Sequence, residues 1–180
     1  IEKAQSLDEH NDGYYNDIKK IEADGLFNIT TIGTTNYSPF IEKIIEHDIK
    51  FLNGGTNIYY DPYLNSIVLD DKSNDHFIVP LLFTQSGTKP MTSIDMSEKY
   101  VDFYHELLES DVVVVIGFGF NSDDEHINGI FRQLINKHDK TIYIVDTDTN
   151  SEIHKKNKIQ KKLKIERATN INFITINPDN

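Results

Sequence analysis

Residues 111–135, DVVVVIGFGFNSDDEHINGIFRQLI, constrain this chain more than any other stretch. The five apolar residues from Val112 to Ile116 predict a strand buried on both faces. Gly117 and Gly119 allow a tight turn, and Ser122-Asp-Asp-Glu125 reads as a capping box that opens a helix. Ile127, Ile130, Phe131, Leu134 and Ile135 follow at the spacing of one helix face. A parallel strand, a glycine turn and a helix start form a common nucleotide-holding unit in α/β folds. The same unit also serves as a plain connection in many α/β proteins, so it is a candidate site and a fold marker at once.

The rest of the chain extends the alternation. Tyr14, Ile18 and Ile21 predict a short helix stopped by Gly25, after an acidic, polar start. Asn28 to Ile32 reads as a strand, and Ser38-Pro39 as the cap and first position of a second helix. Ile49 to Leu52 predicts a strand ended by Asn53-Gly54-Gly55. Residues 56–76, with Ile58 to Tyr63 and Ile67 to Leu69 flanking Asn65-Ser66, predict a β-hairpin. Then come a strand over 77–83, a helix from about Asp95 or Ser97, and the unit described above. Thr141 to Val145 predicts a strand ending in Asp146, followed by a lysine-rich helix over 151–163 and a last strand over 171–176. Apolar runs of this kind, alternating with helices, specify an α/β fold: a Rossmann-like, mainly parallel sheet with helices on both faces. The expected division is an acidic segment with a short helix over 1–25, then one α/β domain over 26–180.

Composition narrows the function. A formal net charge of -11 disfavours a general affinity for nucleic-acid phosphates or anionic membranes. The six lysines between Lys155 and Lys164 are expected to be a solvated helix face. With no cysteine there is no disulfide, thiolate zinc site or cysteine nucleophile, and the seven histidines show no metal-binding spacing. No apolar run approaches the ~20 residues of a membrane helix and no signal-peptide core is visible, so a cytoplasmic protein is expected. The first residue is Ile1, which reads as the start of an excerpt from a longer chain.

Several segments, in order, resemble the SIR2 (sirtuin-like) family, in the form of its bacterial domains without the zinc module. Thr34-Thr35-Asn36-Tyr37 resembles the family's T-x-N-[YI]-D segment, and Phe51-Leu52-Asn53-Gly54-Gly55 resembles its strand ending in L-H-G-[ST]. Val112 to Phe120 with Asp123-Asp124-Glu125-His126-Ile127 resembles its apolar strand, glycine turn and following helix, and Tyr143 to Asp146 resembles the strand that meets the adenosine ribose. The resemblance covers residues 26–150 and implies a Rossmann-like NAD-binding fold whose chemistry is cleavage of the nicotinamide–ribose bond. It implies that Thr34, Asn36, Gly117, Gly119 and Asp146 bind the dinucleotide, and that Asn36 and Asn53 stand at catalytic positions. Read from the residues alone, Asn36 either holds a ribose hydroxyl or ties its own turn. Asp146 either grips a ribose or caps the helix near Ser151. His126 reads as a surface or packing residue, and Lys89 as a solvated loop lysine that can also meet a phosphate.

The chain departs from the family pattern at two points. Nothing in residues 1–33 resembles the G-[AG]-G-x-S phosphate loop, and Asn53 replaces the histidine that serves as base. An amide does not titrate near neutral pH. The expectation is therefore part of a bacterial NAD-consuming protein of the glycohydrolase type, lacking the glycine-rich loop and impaired as this chain. The alternative is a non-catalytic nucleotide- or protein-binding module, with the tyrosine-rich hairpin as a contact surface. Expected partners are a nucleotide, and either further copies or the remaining domains of a longer parent.

Overall fold

The computed structural model describes residues 14–69, 77–82 and 93–177. The chain forms two compact units, one of residues 1–84 with 91–103, the other of 85–90 with 104–180.

In the first unit, helix α1 (Tyr14–Ala23) ends where expected, with Gly25 at φ 73° in the left-handed region. Strand β1 (Ile32–Thr34) pairs in parallel with β2 (Ile49–Phe51) across helix α2 (Phe40–Ile44). β1 thus lies later than the predicted 28–32, because the polar Asn28 to Thr31 segment forms no ladder. Ser38 does accept the Phe40 N–H, at 3.3 Å, although Pro39 occupies the cap position itself. The hairpin forms as predicted: β3 (Gly54–Asp61) runs antiparallel to β4 (Ser66–Val68), with Asn65 at φ 54° in the turn. Buried Asp61 holds that turn by accepting the N–H groups of Tyr63 and Leu64 at 2.8 and 3.1 Å.

Gly54 and Gly55 do not end a strand as expected; they begin β3, which pairs on its other side with β5 (Val79–Leu82). The reason is at Gly54, whose φ is 80° and whose pro-β position lies 1.8 Å from the Leu81 carbonyl oxygen. Only a residue without Cβ permits that approach between strands. Helix α3 (Ile94–Glu109) starts with Ser93, whose hydroxyl accepts the Met96 N–H at 3.2 Å. Its Tyr100 hydroxyl donates to the Leu52 carbonyl, and Phe103 packs over Gly33. The helix contributes residues up to Phe103 to the first unit and those from Tyr104 to the second.

The second unit is β6 (Val112–Ile116), helix α4 (Glu125–His138), β7 (Thr141–Asp146), helix α5 (Glu152–Leu163) and β8 (Ile171–Thr175), in parallel strand order β6-β7-β8. Successive right-handed crossovers in one direction place both helices on the same face. Burial along β6 alternates accordingly. Val113 and Val115 are buried while Val112, Val114 and Ile116 are 46%, 54% and 39% exposed, so the expected burial on both faces does not hold. The capping box is corrected too. Residues Ser122–Asp124 form a 3-10 turn, and no side chain caps α4 at Asp124. Glu125 is committed elsewhere: its carboxylate pairs with Arg132 and, at 3.3 Å, with Lys164. Among the described residues no helix is long and apolar enough to cross a membrane.

Two glycines give a direct test. Gly54→Ala should destabilise the fold by more than about 2 kcal/mol, since the strand must open to admit a methyl group. Gly129→Ala, in mid-helix with nothing within 4 Å of an added Cβ, should be neutral or stabilising by up to ~1 kcal/mol. Thermal unfolding of the two variants checks the contrast, and equal melting points would contradict it.

Candidate functional site

Both parallel pairings end in candidate residues, as expected where ligands lie at the carboxyl ends of strands. At the end of β1–β2, Thr34 is buried and its hydroxyl accepts the Asn36 N–H at 3.1 Å. Its carbonyl accepts the Leu52 N–H at 2.8 Å, which brings Asn53 to the same end. Asn53 is 5% exposed. The Asn36 side chain is exposed and makes no hydrogen bond among the described residues, so it does not tie its own turn. His126 sits half-buried in the first turn of α4. Lys89 lies outside the described residues.

In the second unit, at the end of β6–β7, Gly117, Gly119 and Asp146 come together around a cavity of about 380 Å³. The turn from β6 is tight: Gly117 has φ 66° and Phe120 has φ 50°. A left-handed phenylalanine is an unfavourable conformation, held here by packing, since Phe120 is 2% exposed and its ring meets Phe118 and Phe131 at 4.9 and 5.1 Å. Asp146 at the end of β7 is not a helix cap. Ser151 caps α5 by accepting the His154 N–H at 3.4 Å. Asp146 Oδ1 instead accepts the Asp148 N–H at 3.1 Å and the Lys155 ammonium at 3.0 Å. Its Oδ2 accepts no hydrogen bond among the described residues, and the side chain is 31% exposed.

The lysine row is the main site feature that sequence reasoning missed. Lys155 is 3% exposed, donates to Thr175 Oγ1 at 2.6 Å as well as to Asp146, and lies 5.5 Å from the Phe173 ring centre. Lys158 pairs with Asp148 at 3.0 Å, and Lys162 donates to the Gly119 carbonyl at 2.5 Å. All three line the cavity, and Lys155 departs from the solvated face expected of the segment, whereas Lys158 is exposed as expected. The signal was present, because Lys155 stands four and eight residues before the buried Ile159 and Leu163 and so shares their helix face. Asp148 is held well below the usual carboxylate range by the Asn150 N–H, then by Lys158 and the Asn150 amide. Among the described residues no group of three or more His, Asp or Glu is placed to hold a metal.

Two solved structures share this arrangement of parallel strands and helices. One is a mutant Sir2 homologue in complex with ADP-ribose, matched with a TM-score of 0.50 and 13% identity over 74% of this chain and 54% of that one. The other is a Sir2 homologue in complex with NAD, with a TM-score of 0.53 and 11% identity over 88% of this chain and 57% of that one. The fold is SIR2-like. The chain spans a little over half the length of either structure. No family model matches the sequence, and no curated protein does. The SIR2-like fold thus shows in the backbone, while sequence identity to these two neighbours is low.

Linkage gives a test of the Asp148 pairing. Its folded pKa is lowered, so the stabilisation is complete above the ordinary value of about 3.9 and drains as pH falls through the folded value. Asp148→Asn should therefore melt lower than the parent at neutral pH, with the gap narrowing as the pH falls below about 4. Melting curves at stepped pH check this, and a gap that widens in acid would contradict it.

Proposed function

We propose that this chain is an NAD-binding domain of SIR2-like fold that holds the dinucleotide without turning it over efficiently. The observation that carries the reading is Asp146 at the carboxyl end of β7, with Oδ2 free beside the Gly117–Gly119 turn. A carboxylate there accepts the hydroxyls of a ribose, and the turn lets a sugar approach the backbone. The ADP-ribose and NAD carried by the two neighbours are ligands of that chemistry. Taken by itself, the first unit carries the Thr34 hydroxyl and the unengaged Asn36 amide at its strand ends, groups that can also meet a sugar hydroxyl.

The catalytic reading is weaker for a chemical reason. Asn53 occupies the position that the resemblance gives to a histidine base, and a lost general base slows a reaction by about 10²–10⁴-fold. We therefore assign the chain to an NAD-consuming protein of the glycohydrolase type only as an impaired member, and the non-catalytic nucleotide-binding module is the form that fits Asn53.

NAD at about a hundred times its Kd should stabilise the fold by about 2.7 kcal/mol and raise Tm by several degrees. Asp146→Asn, which keeps an acceptor for Lys155, should reduce that shift. No saturable shift with NAD or ADP-ribose would overturn the binding reading. Nicotinamide release from NAD should stay at background, and rise in Asn53→His if a base is all that is missing. Release by the parent chain at an ordinary enzymatic rate would overturn the assignment as impaired.

A further inference from the structure

The cavity of the second unit carries a charge that its own carboxylates do not cancel. Three lysines line it against two aspartates. Lys155 is matched by Asp146 at 3.0 Å and Lys158 by Asp148 at 3.0 Å. Lys162 has no carboxylate partner among the described residues; its ammonium donates only to the neutral carbonyl of Gly119, at 2.5 Å. In a chain of net charge -11, this leaves one uncompensated cation at the glycine turn of the cavity that holds Asp146.

We propose that Lys162 is the diphosphate contact of this site, and that the cavity selects nucleotides bearing a diphosphate over the bare nucleoside. The inference rests on the nucleotide-binding reading above and names the ligand group that the reading leaves open. An ammonium has three donors. Lys162 can therefore keep its bond to Gly119 and present the others to phosphate oxygens. The Gly119 anchor fixes where the cation sits. Lys155 and Lys158 are weaker candidates, because Lys155 is buried with its donors on Asp146 and Thr175, and the charge of Lys158 is already matched by Asp148.

Titrations of ADP-ribose and of adenosine with the full chain, followed by calorimetry, test the assignment. Lys162→Met should weaken ADP-ribose by about tenfold or more, the usual scale for a hydrogen bond to a charged group. It should leave adenosine unchanged, and Lys162→Arg should restore most of the loss. ADP-ribose affinity of the parent should fall with added salt, and that dependence should flatten in Lys162→Met. Equal weakening of both ligands, or none, would overturn the diphosphate role while leaving the binding reading intact. A loss confined to a 2′-phosphorylated dinucleotide would move Lys162 to the adenosine ribose and also overturn it. If the parent binds neither ADP-ribose nor adenosine, both readings fall together.

Discussion

A buried ammonium organises the second unit. Lys155 is 3% exposed, and leaving such a charge without a partner costs several kcal/mol. It is met by Asp146 on β7 and Thr175 on β8, and it lies over the Phe173 ring, 5.5 Å from the ring centre. One side chain of α5 thereby ties the helix to two neighbouring strands at their carboxyl ends. It also decides how Asp146 is presented. With Oδ1 occupied by Lys155 and by the Asp148 N–H, the carboxylate is held at one oxygen and offers the other. A carboxylate constrained in this way loses less rotamer freedom when a hydroxyl arrives than a free one would.

The same economy appears at the glycine turn. Phe120 adopts φ 50°, a conformation costing of order 1–2 kcal/mol for a residue with a side chain. The cost is offset by an aromatic cluster with Phe118 and Phe131 and by nearly complete burial. Gly117, at φ 66°, turns the chain without such compensation. Strain and glycine freedom therefore sit within one four-residue turn, and both serve the passage of the chain from β6 towards α4. Asn128, fully buried in the first turn of α4, donates its amide to the Asn121 carbonyl and fastens the far end of the turn at 2.8 Å.

Much of this architecture was legible because it rests on local rules. The strand, turn and helix of 111–135, the hairpin at Asn65 and the stop at Gly25 follow from periodicity and turn chemistry. What could not be read was pairing over long sequence distances. Gly54 looked like the end of a strand because glycines usually punctuate, and only the approach of the Leu81 carbonyl shows why a strand needs it. Glu125 fitted a capping box until Arg132 and Lys164 proved to be its partners. Burial on both faces of β6 was inferred from five apolar residues, yet a three-stranded sheet with both crossovers on one side buries alternate ones. The lysines are the instructive case: composition classed them as solvent-facing, whereas the helical phase of Lys155 against Ile159 and Leu163 pointed inward.

That phase also explains why a lysine, and not an apolar residue, suits the position. A leucine at 155 would bury well against Ile159 and Phe173, but it would leave Oδ1 of Asp146 with only a backbone donor. The carboxylate would then be freer to turn away from the cavity. Conversely, an alanine at 146 would leave the buried ammonium with the Thr175 hydroxyl but no counter-charge, and a buried charge without one is costly. Each residue is thus costly without the other, so the pair is more readily kept or lost as a unit than changed one at a time. A purely structural role would be met equally well by two apolar residues of similar volume. Retaining an ion pair at the mouth of a cavity makes chemical sense when one of its oxygens has something further to hold.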